Sequence, residues 1–278
     1  MGSSLKVACI QITSGPDIHE NMKKTGALIE EAAKNGAQFI LTPENTSRML
    51  SQHEKKIAEA LTQDDHPAVP FFADLAKSLG VTLLIGSMAM KTDGDKLLNR
   101  SFLFAPDGTI QNTYDKIHLF DVCLPTGEDH TESNVIKPGT QAVVAKVNDD
   151  FSVGMSICYD LRFSYLFRDL AKAGANILSI PAAFTVPTGK AHWEVLLRAR
   201  AIETGSYVLA PAQVGEHDGG RRTYGHSLII DPWGRILAQK EDGEGVIYAD
   251  INVAEVNTAR GAIPALTHDR DYEVMPHE

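Results

Sequence analysis

Two stretches of this chain repeat one pattern: residues 33–43 read AKNGAQFILTP, and residues 171–181 read AKAGANILSIP. Aligned without gaps, they are identical at five of eleven positions. Each stretch ends a helical pattern at a glycine, continues as an apolar strand and leaves that strand at a proline. Another apolar run precedes each helical pattern, at residues 7–13 and 152–158. The sequence therefore predicts one strand–helix–strand unit used twice, although Ala-Lys-x-Gly-Ala is also a common helix ending.

The surrounding sequence mixes helical patterns with hairpins. Asp17 is predicted to cap a helix that ends at Gly36, and Pro70 to open a helix that ends at Gly80. Turn sequences at residues 106–108 and 231–234 each separate two short apolar runs, which indicates antiparallel hairpins. Such a mixture is typical of sheets layered against helices.

Composition excludes several classes of protein. The 278 residues are 43% hydrophobic and 22% charged, which excludes a disordered chain, a collagen and a coiled coil. The net charge of −10 argues against a nucleic-acid partner, because phosphate binding needs a basic face. The longest apolar runs are of strand length, well short of the ~20 residues of a membrane span, so no membrane partner is expected.

Cysteine usage and short motifs give further expectations. Cys9, Cys123 and Cys158 are widely spaced and form neither a disulfide framework nor a CxxC motif. Residues 1–6 contain no apolar stretch of signal-peptide length, so a cytoplasmic protein with reduced thiols is expected. No HExxH, phosphate-loop, dinucleotide or serine-elbow signature is complete. We therefore expect neither a metal nor a cofactor.

Three segments carry the strongest chemical signal. Residues 42–45 (TPEN), 114–118 (YDKIH) and 156–160 (SICYD) each follow an apolar run, where a sheet displays reactive groups on a rigid support. A thiol nucleophile, a carboxylate base and an ammonium that holds an oxyanion suffice for amide hydrolysis. Each of these residue types also has a purely structural explanation. The cysteine could be a core residue, the acid a solvated turn residue, and the lysine a side chain that extends to water. Spacing alone does not select among these explanations.

Taken in order, the segments resemble the nitrilase superfamily of carbon–nitrogen hydrolases, whose triad is Glu-Lys-Cys. Glu44 is followed by Lys116 72 residues later and by Cys158 a further 42 residues on. Residues 158–163, 192–203 and 224–234 add to the resemblance. It implies an α+β fold, a four-layer αββα sandwich whose two sheets form pseudo-twofold halves. It also implies a homodimer or higher homo-oligomer. No Pro/Gly/Ser-rich linker separates the halves, which indicates one domain over residues 1–278, and the polar tail indicates a C-terminal arm from about 260–278.

The resemblance implies roles for further residues. The family often has a second glutamate between the lysine and the cysteine; Glu132 is assigned to it, with Glu128 as a competitor. The backbone N–H of Tyr159 is expected to share the oxyanion with Lys116. Arg162 is expected to hold a substrate carboxylate. Its alternative is a structural pair with Asp160 or a helix carboxylate.

Cys-Tyr-Asp after the nucleophile, rather than Cys-Trp-Glu, resembles the amidase branches of the superfamily. The match is densest to deaminated glutathione amidases, with the omega-amidases of 2-oxo acid monoamides as neighbours. A small carboxylate-bearing amide is the expected substrate, and an N-carbamoyl amino acid is an alternative. Two rivals of other classes are a non-catalytic binding scaffold and a metal-dependent phosphodiesterase on a similar layered sandwich.

Overall fold

The computed structural model describes residues 4–124, 127 and 129–276; Glu128, the competing second glutamate, lies outside them. The α-helices are α1 (Ile18–Lys34), α2 (His53–Ala58), α3 (Ala68–Leu79), α4 (Ser164–Lys172), α5 (Val186–Thr204) and α6 (Val253–Ala262). Short 3₁₀ helices cover Glu132–Asn134, Cys158–Arg162, Asp218–Gly220 and Ala265–Thr267.

The strands form two large sheets and two small hairpins. They are β1 (Ser4–Gln11), β2 (Phe39–Leu41), β3 (Thr82–Met90), β4 (Leu98–Phe104), β5 (Ile110–Asp115), β6 (Asp121–Cys123), β7 (Asp129–Thr131), β8 (Val143–Lys146), β9 (Ser152–Met155), β10 (Ile177–Ser179), β11 (Tyr207–Ala210), β12 (Val214–Glu216), β13 (Arg222–Tyr224), β14 (Ser227–Ile230), β15 (Ile236–Lys240) and β16 (Gly245–Asn252). The hairpins are β6–β7 and β12–β13.

The two large sheets have the same topology. The first has the order β16-β1-β2-β3-β4-β5 and the second β8-β9-β10-β11-β14-β15. In each sheet three parallel strands form the centre. One strand antiparallel to them lies on one side, and on the other side lie two strands, each antiparallel to the strand before it. The predicted repeat units are β1–α1–β2 and β9–α4–β10, which occupy equivalent places in their sheets. The expectation of two related halves is confirmed.

Alternating side chains of the strands divide the interior into layers. On β1, Val7 and Cys9 belong to the core shared with the second sheet, whereas Ala8 and Ile10 pack towards α1 and α3. The shared core continues into residues of α4 and α5, which cover the second sheet. The architecture is the αββα sandwich that the resemblance implies.

Most of the predicted helix caps and helix ends are present in the structure, with one difference at α3. The Asp17 carboxylate accepts the Glu20 amide at 2.9 Å, as expected of an N-cap, and Gly80 ends α3 with φ +65°. The helix begins at Ala68, however, two residues before Pro70. The His66 ring nitrogen accepts the Ala68 amide at 3.2 Å. Proline is tolerated in a first turn, whose amides have no helical partner, so Pro70 lies inside the helix without opening it.

The C-terminal segment expected as an arm from about residue 260 is still helical through Ala262. Beyond Ala265–Thr267 it runs as irregular, exposed chain to residue 276. Asp269 forms ion pairs with Arg168 and Lys172 of α4, which hold the start of this segment on the protein. Among the described residues, none of the helices combines the length and the apolar character that a bilayer span requires.

Candidate active site

Glu44 follows β2 in a buried turn, and both of its carboxylate oxygens accept hydrogen bonds. Its Oε1 accepts hydrogen bonds from Lys116 Nζ at 2.9 Å and from Asn99 Nδ2 at 3.0 Å. Its Oε2 accepts the Ala183 amide at 3.0 Å. The next residue, Asn45, has φ +58°, a left-handed conformation that asparagine tolerates better than most residues. The carboxylate is therefore fixed in position from three sides.

Lys116 follows β5 and is held by its own backbone as well as by its charge. Its amide donates to Asn99 O at 3.0 Å, and its carbonyl accepts the Gly139 amide at 2.8 Å. Besides Glu44, its ammonium donates to Glu132 Oε1 at 3.1 Å and Oε2 at 2.9 Å. Burial lowers the pKa of Lys116, but the Glu132 and Glu44 carboxylates outweigh this and raise its pKa well above the usual value. The lysine is therefore a fixed cation.

Glu132 opens a 3₁₀ helix and is the second carboxylate that contacts the lysine. Its Oε2 also accepts the Phe120 amide at 2.7 Å. Burial raises the pKa of Glu132, but the Lys116 charge and the Phe120 hydrogen bond outweigh this and lower its pKa. Two carboxylates therefore contact one ammonium.

Cys158 stands where β9 passes into the 3₁₀ helix Cys158–Arg162. It has φ +51°, a strained conformation for a residue with a Cβ and one that recurs at functional sites. Its amide donates to Pro181 O at 2.9 Å. Its side chain lies beside Glu44 and the Ala183 backbone, and both of them act on its pKa. Burial, followed by the Glu44 charge, raises the pKa of the Cys158 thiol well above its usual value, although Lys116 opposes this shift.

Asp160 fixes the turn that carries the cysteine. Its Oδ2 accepts hydrogen bonds from Ile157 N at 2.8 Å and Tyr114 Oη at 2.7 Å. Its Oδ1 accepts the His118 amide at 3.0 Å and lies 2.7 Å from His118 Nδ1. Since Tyr114 and His118 flank Lys116 in the sequence, this buried acid ties the cysteine turn of one sheet to the lysine strand of the other.

The two repeated stretches meet at the site through their prolines. A Cβ on Gly86 would lie 2.4 Å from Pro43 O and 2.5 Å from Pro181 Cβ. Pro43 precedes Glu44, while Pro181 O accepts the Cys158 amide. Only a residue without a Cβ lets the two strand ends approach this closely.

The site opens into a cavity of about 1210 Å³. Glu44, Lys116, Glu132 and Cys158 line it; Glu44, Lys116 and Cys158 are buried, with exposures of 3%, 2% and 8%, and Glu132 is partly buried. Four further cationic side chains line the same space, namely Lys56, Lys190, Arg221 and Arg222. The cavity is large enough for a substrate of drug or tripeptide size. In the part of the chain that the structure describes, no cluster of three or more His, Cys, Asp or Glu side chains is arranged to hold a metal.

The two residues expected to contact substrate are placed differently. Tyr159 lines the cavity directly after the cysteine. Arg162 is not among the described residues that line it; its guanidinium lies 5.8 Å from the Tyr159 ring centroid and 5.6 Å from that of Phe184. Its Nη1 is 3.3 Å from His192 Nδ1. This geometry favours the structural alternative for Arg162, with aromatic rings in place of the Asp160 carboxylate as partners.

Sequence reasoning missed several groups that complete the site. Asn99 donates to both Glu44 and, at 3.3 Å, Glu132, and the Ala183 backbone contacts both Glu44 and Cys158. No motif marks an asparagine inside a strand or a backbone amide after one. The position of Ala183 just beyond the repeated proline is the one signal that points to it.

A comparison with protein families decides the family. The family model described as carbon-nitrogen hydrolase matches residues 6–261, which span all the site residues described above. The chain belongs to the carbon–nitrogen hydrolase family. The ordered arrangement of glutamate, lysine and cysteine therefore lies within a carbon–nitrogen hydrolase, and the family assignment made from the sequence is confirmed.

Curated relatives of this carbon–nitrogen hydrolase cover nearly its whole length. A deaminated glutathione amidase of Synechocystis sp. is 40% identical over 264 residues, 94% of this chain and 96% of the relative. A deaminated glutathione amidase of Mus musculus is 38% identical over 275 residues, 95% of this chain and 83% of the relative.

Solved structures share the fold. The C. elegans NitFhit protein superposes with a TM-score of 0.89 at 34% identity, over 97% of this chain and 66% of the NitFhit chain. Saccharomyces cerevisiae Nit3, described as a member of branch 10 of the nitrilase superfamily, gives 0.85 at 29% identity over 97% of each chain. The αββα architecture of this carbon–nitrogen hydrolase is thus that of its superfamily.

Proposed function

We propose that this chain is an amidase that hydrolyses a non-peptide amide bond through a thioester on Cys158. One observation carries the proposal: the Glu44 carboxylate contacts both the Cys158 thiol and the Lys116 ammonium inside one buried, open-mouthed cavity. A base beside the nucleophile, with a cation beside both, is the arrangement that acyl transfer needs. Family membership and the names of the relatives support the same reaction class.

Acylation begins with the thiol protonated, since its pKa is raised. Glu44 accepts the proton of Cys158 as the sulfur attacks the amide carbon. The carbonyl oxygen becomes an oxyanion, held by the Lys116 ammonium and the Tyr159 backbone N–H. Glu44 then gives its proton to the leaving nitrogen, the C–N bond breaks, and ammonia or an amine departs, leaving a thioester.

Deacylation uses the same groups in reverse. A water molecule enters the cavity and loses a proton to Glu44 while its oxygen attacks the thioester carbon. The second tetrahedral intermediate collapses with cleavage of the C–S bond, and Glu44 returns its proton to the sulfur. The products are a carboxylic acid and the free thiol, so the enzyme is regenerated.

Glu132 acts in this scheme as a positioning residue. It makes two hydrogen bonds to Lys116 and one to the Phe120 amide, which hold the ammonium beside Glu44 through both half-reactions. Its charge keeps Lys116 protonated when Glu44 becomes neutral on taking the thiol proton. The Lys116 ammonium is therefore positively charged when the oxyanion forms and can stabilise it.

We propose a small carboxylate-bearing amide, such as deaminated glutathione, as the substrate. The names of the relatives at 36–40% identity and the presence of Lys and Arg side chains in the cavity besides Lys116 support this class. Omega-amidase activity on 2-oxo acid monoamides and N-carbamoyl amino acid hydrolysis are the alternatives. The proposal further includes one domain over residues 1–278, a cytoplasmic location and a homodimer or higher homo-oligomer.

The test is a panel of amides assayed for release of ammonia or amine by the wild type and by Cys158→Ala. The panel contains deaminated glutathione, oxoglutaramate, a carbamoyl amino acid and a nitrile. We expect turnover of at least one amide by the wild type, loss of turnover in the variant, and an acyl adduct on Cys158 in mass spectra of quenched reactions. Turnover by Cys158→Ala, or inhibition by chelators but not by thiol alkylation, would refute the thioester scheme.

A further inference from the structure

Arg221 lines the cavity and reaches the backbone beside the reacting groups. Its Nη2 donates to the Ala183 carbonyl at 3.1 Å. The amide of the same Ala183 donates to Glu44 Oε2, and its backbone also contacts the Cys158 thiol. One backbone residue therefore separates the guanidinium from the nucleophile and the base.

Arg221 retains unused hydrogen-bonding capacity. Its Nε is buried and has no hydrogen-bond partner among the described residues, and it forms no ion pair with any residue in the part of the chain that the structure describes. A guanidinium has five N–H donors in a planar fork that fits a carboxylate. A buried donor without a partner is costly, so this group is suited to a ligand that brings an anion.

The hairpin that carries Arg221 is tied down on both sides. The Arg221 carbonyl accepts the His217 amide at 2.8 Å, and the buried His217 ring contacts Ser14 O at 2.9 Å and Thr223 Oγ1 at 2.7 Å. Asp218 accepts hydrogen bonds from the Ser51 amide at 3.1 Å and hydroxyl at 2.9 Å. The guanidinium is thus presented from a fixed backbone, which lowers the entropy cost of binding.

Lys56 brings a second cation to the same space. It lies on α2, which follows Ser51, and it lines the cavity with Arg221. It too has no ion pair within the described residues. Burial lowers its pKa; Glu132 and Glu44 oppose this, whereas Arg221 and Lys116 add to it. These interactions place Lys56 within electrostatic reach of both Arg221 and the reacting groups.

The acids of the cavity do not neutralise this pair. Glu44 and Glu132 are committed to Lys116, and Glu244 pairs with Lys24 at 2.9 Å. Asp129 and Asp242 also line the cavity and are exposed to solvent. Among the described residues, the cavity therefore holds two cations without an ion-pair partner, Arg221 and Lys56, besides a triad that is already internally paired.

We propose that Arg221, assisted by Lys56, binds a carboxylate of the substrate and so selects acidic amides over neutral ones. The proposal rests on the proposed amidase function and adds the residue that sets its substrate class. It gives to Arg221 the role that the sequence had suggested for Arg162. An anion on Arg221 would satisfy the free Nε, and would hold the amide carbon at a set distance from Cys158.

The experiment compares Arg221→Gln with the wild type on two matched substrates, an acidic amide such as succinamate and its neutral methyl ester. We expect kcat/KM for the acid to fall about 10- to 100-fold, mainly through KM, since a charge-assisted hydrogen bond is lost. For the ester we expect a change under about threefold. Arg221→Lys is expected to recover part of the loss. Arg270→Gln, which removes an exposed charge far from the cavity, serves as the control.

The outcomes separate this inference from the proposed function. Equal losses on acid and ester, or no loss on either, would overturn the role of Arg221. A wild type that hydrolyses both substrates with equal kcat/KM would overturn acid selection while leaving the amidase standing. A wild type that hydrolyses no amide in the panel would overturn the function itself. If Arg221→Gln fails to fold, Lys56→Gln on the short, solvent-facing α2 provides the same acid-against-ester comparison, with a smaller expected loss.

Discussion

Lys116 Nζ lies 2.9 Å from Glu44 Oε1, although 72 residues separate the two in the chain. Both follow strands of the same sheet, β2 and β5, with β3 and β4 between them. The pair is buried. Asn99 of β4 donates hydrogen bonds to Glu44 and to Glu132, the two glutamates that contact the lysine. Cys158 approaches the same carboxylate from the other sheet, so one glutamate links the two halves of the molecule.

Replacing Glu44 by glutamine removes the proposed proton carrier with little change of shape. We expect kcat to fall about 10²- to 10⁴-fold, the contribution usual for general acid–base catalysis. The measurement is steady-state kinetics on the best substrate of the panel. Glu30→Gln, an exposed change of the same kind on α1, should leave kcat unaltered. A Glu44→Gln enzyme with more than a tenth of wild-type kcat would contradict the assignment.

The same variant should make the Cys158 thiol more acidic. Burial is the largest cause of the raised thiol pKa, and the Glu44 charge and hydrogen bond add to it. Glutamine keeps the burial but removes the charge, so the midpoint of thiolate formation should move to lower pH. The ultraviolet absorbance of the thiolate measures this, with Cys158→Ala subtracting the signals of Cys9 and Cys123. A midpoint that is unchanged or higher would show that Glu44 does not act on the thiol.

Replacing Lys116 by methionine should abolish turnover and destabilise the fold. The two carboxylates that it separates would then face each other in a buried site, and breaking a buried pair costs about 3–5 kcal/mol. Far-UV circular dichroism should show that the fold is kept at neutral pH. Urea denaturation at several pH values gives the free energy of unfolding.

The loss caused by Lys116→Met should depend on pH. In the wild type the pKa of Glu132 is lowered, so its contribution to stability is present above the unfolded value of ~4.3 and is lost as pH falls through the folded pKa. Without the lysine the pKa of Glu132 rises, and protonation relieves the repulsion. The stability difference from wild type should therefore be largest near neutral pH and shrink towards pH ~4. A difference that stays constant over this range would contradict the prediction.

Gly86→Ala should damage the site from a distance. The new Cβ would meet Thr42 O at 2.1 Å and Pro43 O at 2.4 Å, so one or both strand ends must move. We expect a stability loss of about 1–3 kcal/mol, as for overpacked cores, and a fall in kcat. Gly94→Ala is the control, since its nearest neighbour would be 3.7 Å away. Equal stability of the two variants would show that the approach of the prolines is not constrained.

Asp160→Asn should loosen the turn of the nucleophile. The buried carboxylate accepts hydrogen bonds from Ile157, Tyr114 and His118, and an amide nitrogen in place of one oxygen would face donors. We expect a loss of about 1–3 kcal/mol in the free energy of unfolding, together with a lower kcat and a nearly unchanged KM. The exposed change Asp169→Asn on α4 is the control. Wild-type kcat in Asp160→Asn would mean that the turn is held by other contacts.

Much of the fold could be predicted because its signals are local. The Asp17 cap and the Gly36 and Gly80 helix endings depend on neighbouring residues alone, and strand alternation such as that of β1 is written in the sequence. The repeat also predicted two related halves, each containing one strand–helix–strand unit. Helix boundaries were harder to predict. The helix α3 begins at Ala68, whose amide donates to the His66 ring, so Pro70 lies inside the helix.

The site was predicted only where residue order and resemblance identified it. Glu44, Lys116 and Cys158 stand at the strand ends that the three segments mark, and Glu132 was assigned through the resemblance alone. Asn99 and Ala183 carry no such mark. Arg162 is close to Cys158 in sequence, yet the short helix directs its guanidinium onto Tyr159 and Phe184. Adjacency along the chain therefore pointed to Arg162 as the substrate-binding cation, whereas Arg221, far away in the sequence, lines the cavity.

The sequence by itself determined which segments become helices and strands, and which reactive residue stands at the end of each strand, since these depend on short-range sterics and alternation. Only the tertiary structure decided that Glu44 of one sheet meets Cys158 of the other, and that Arg221 enters their cavity. Those contacts arise when two apolar sheet faces pack together, and this packing depends on surfaces that residues far apart in the chain build jointly.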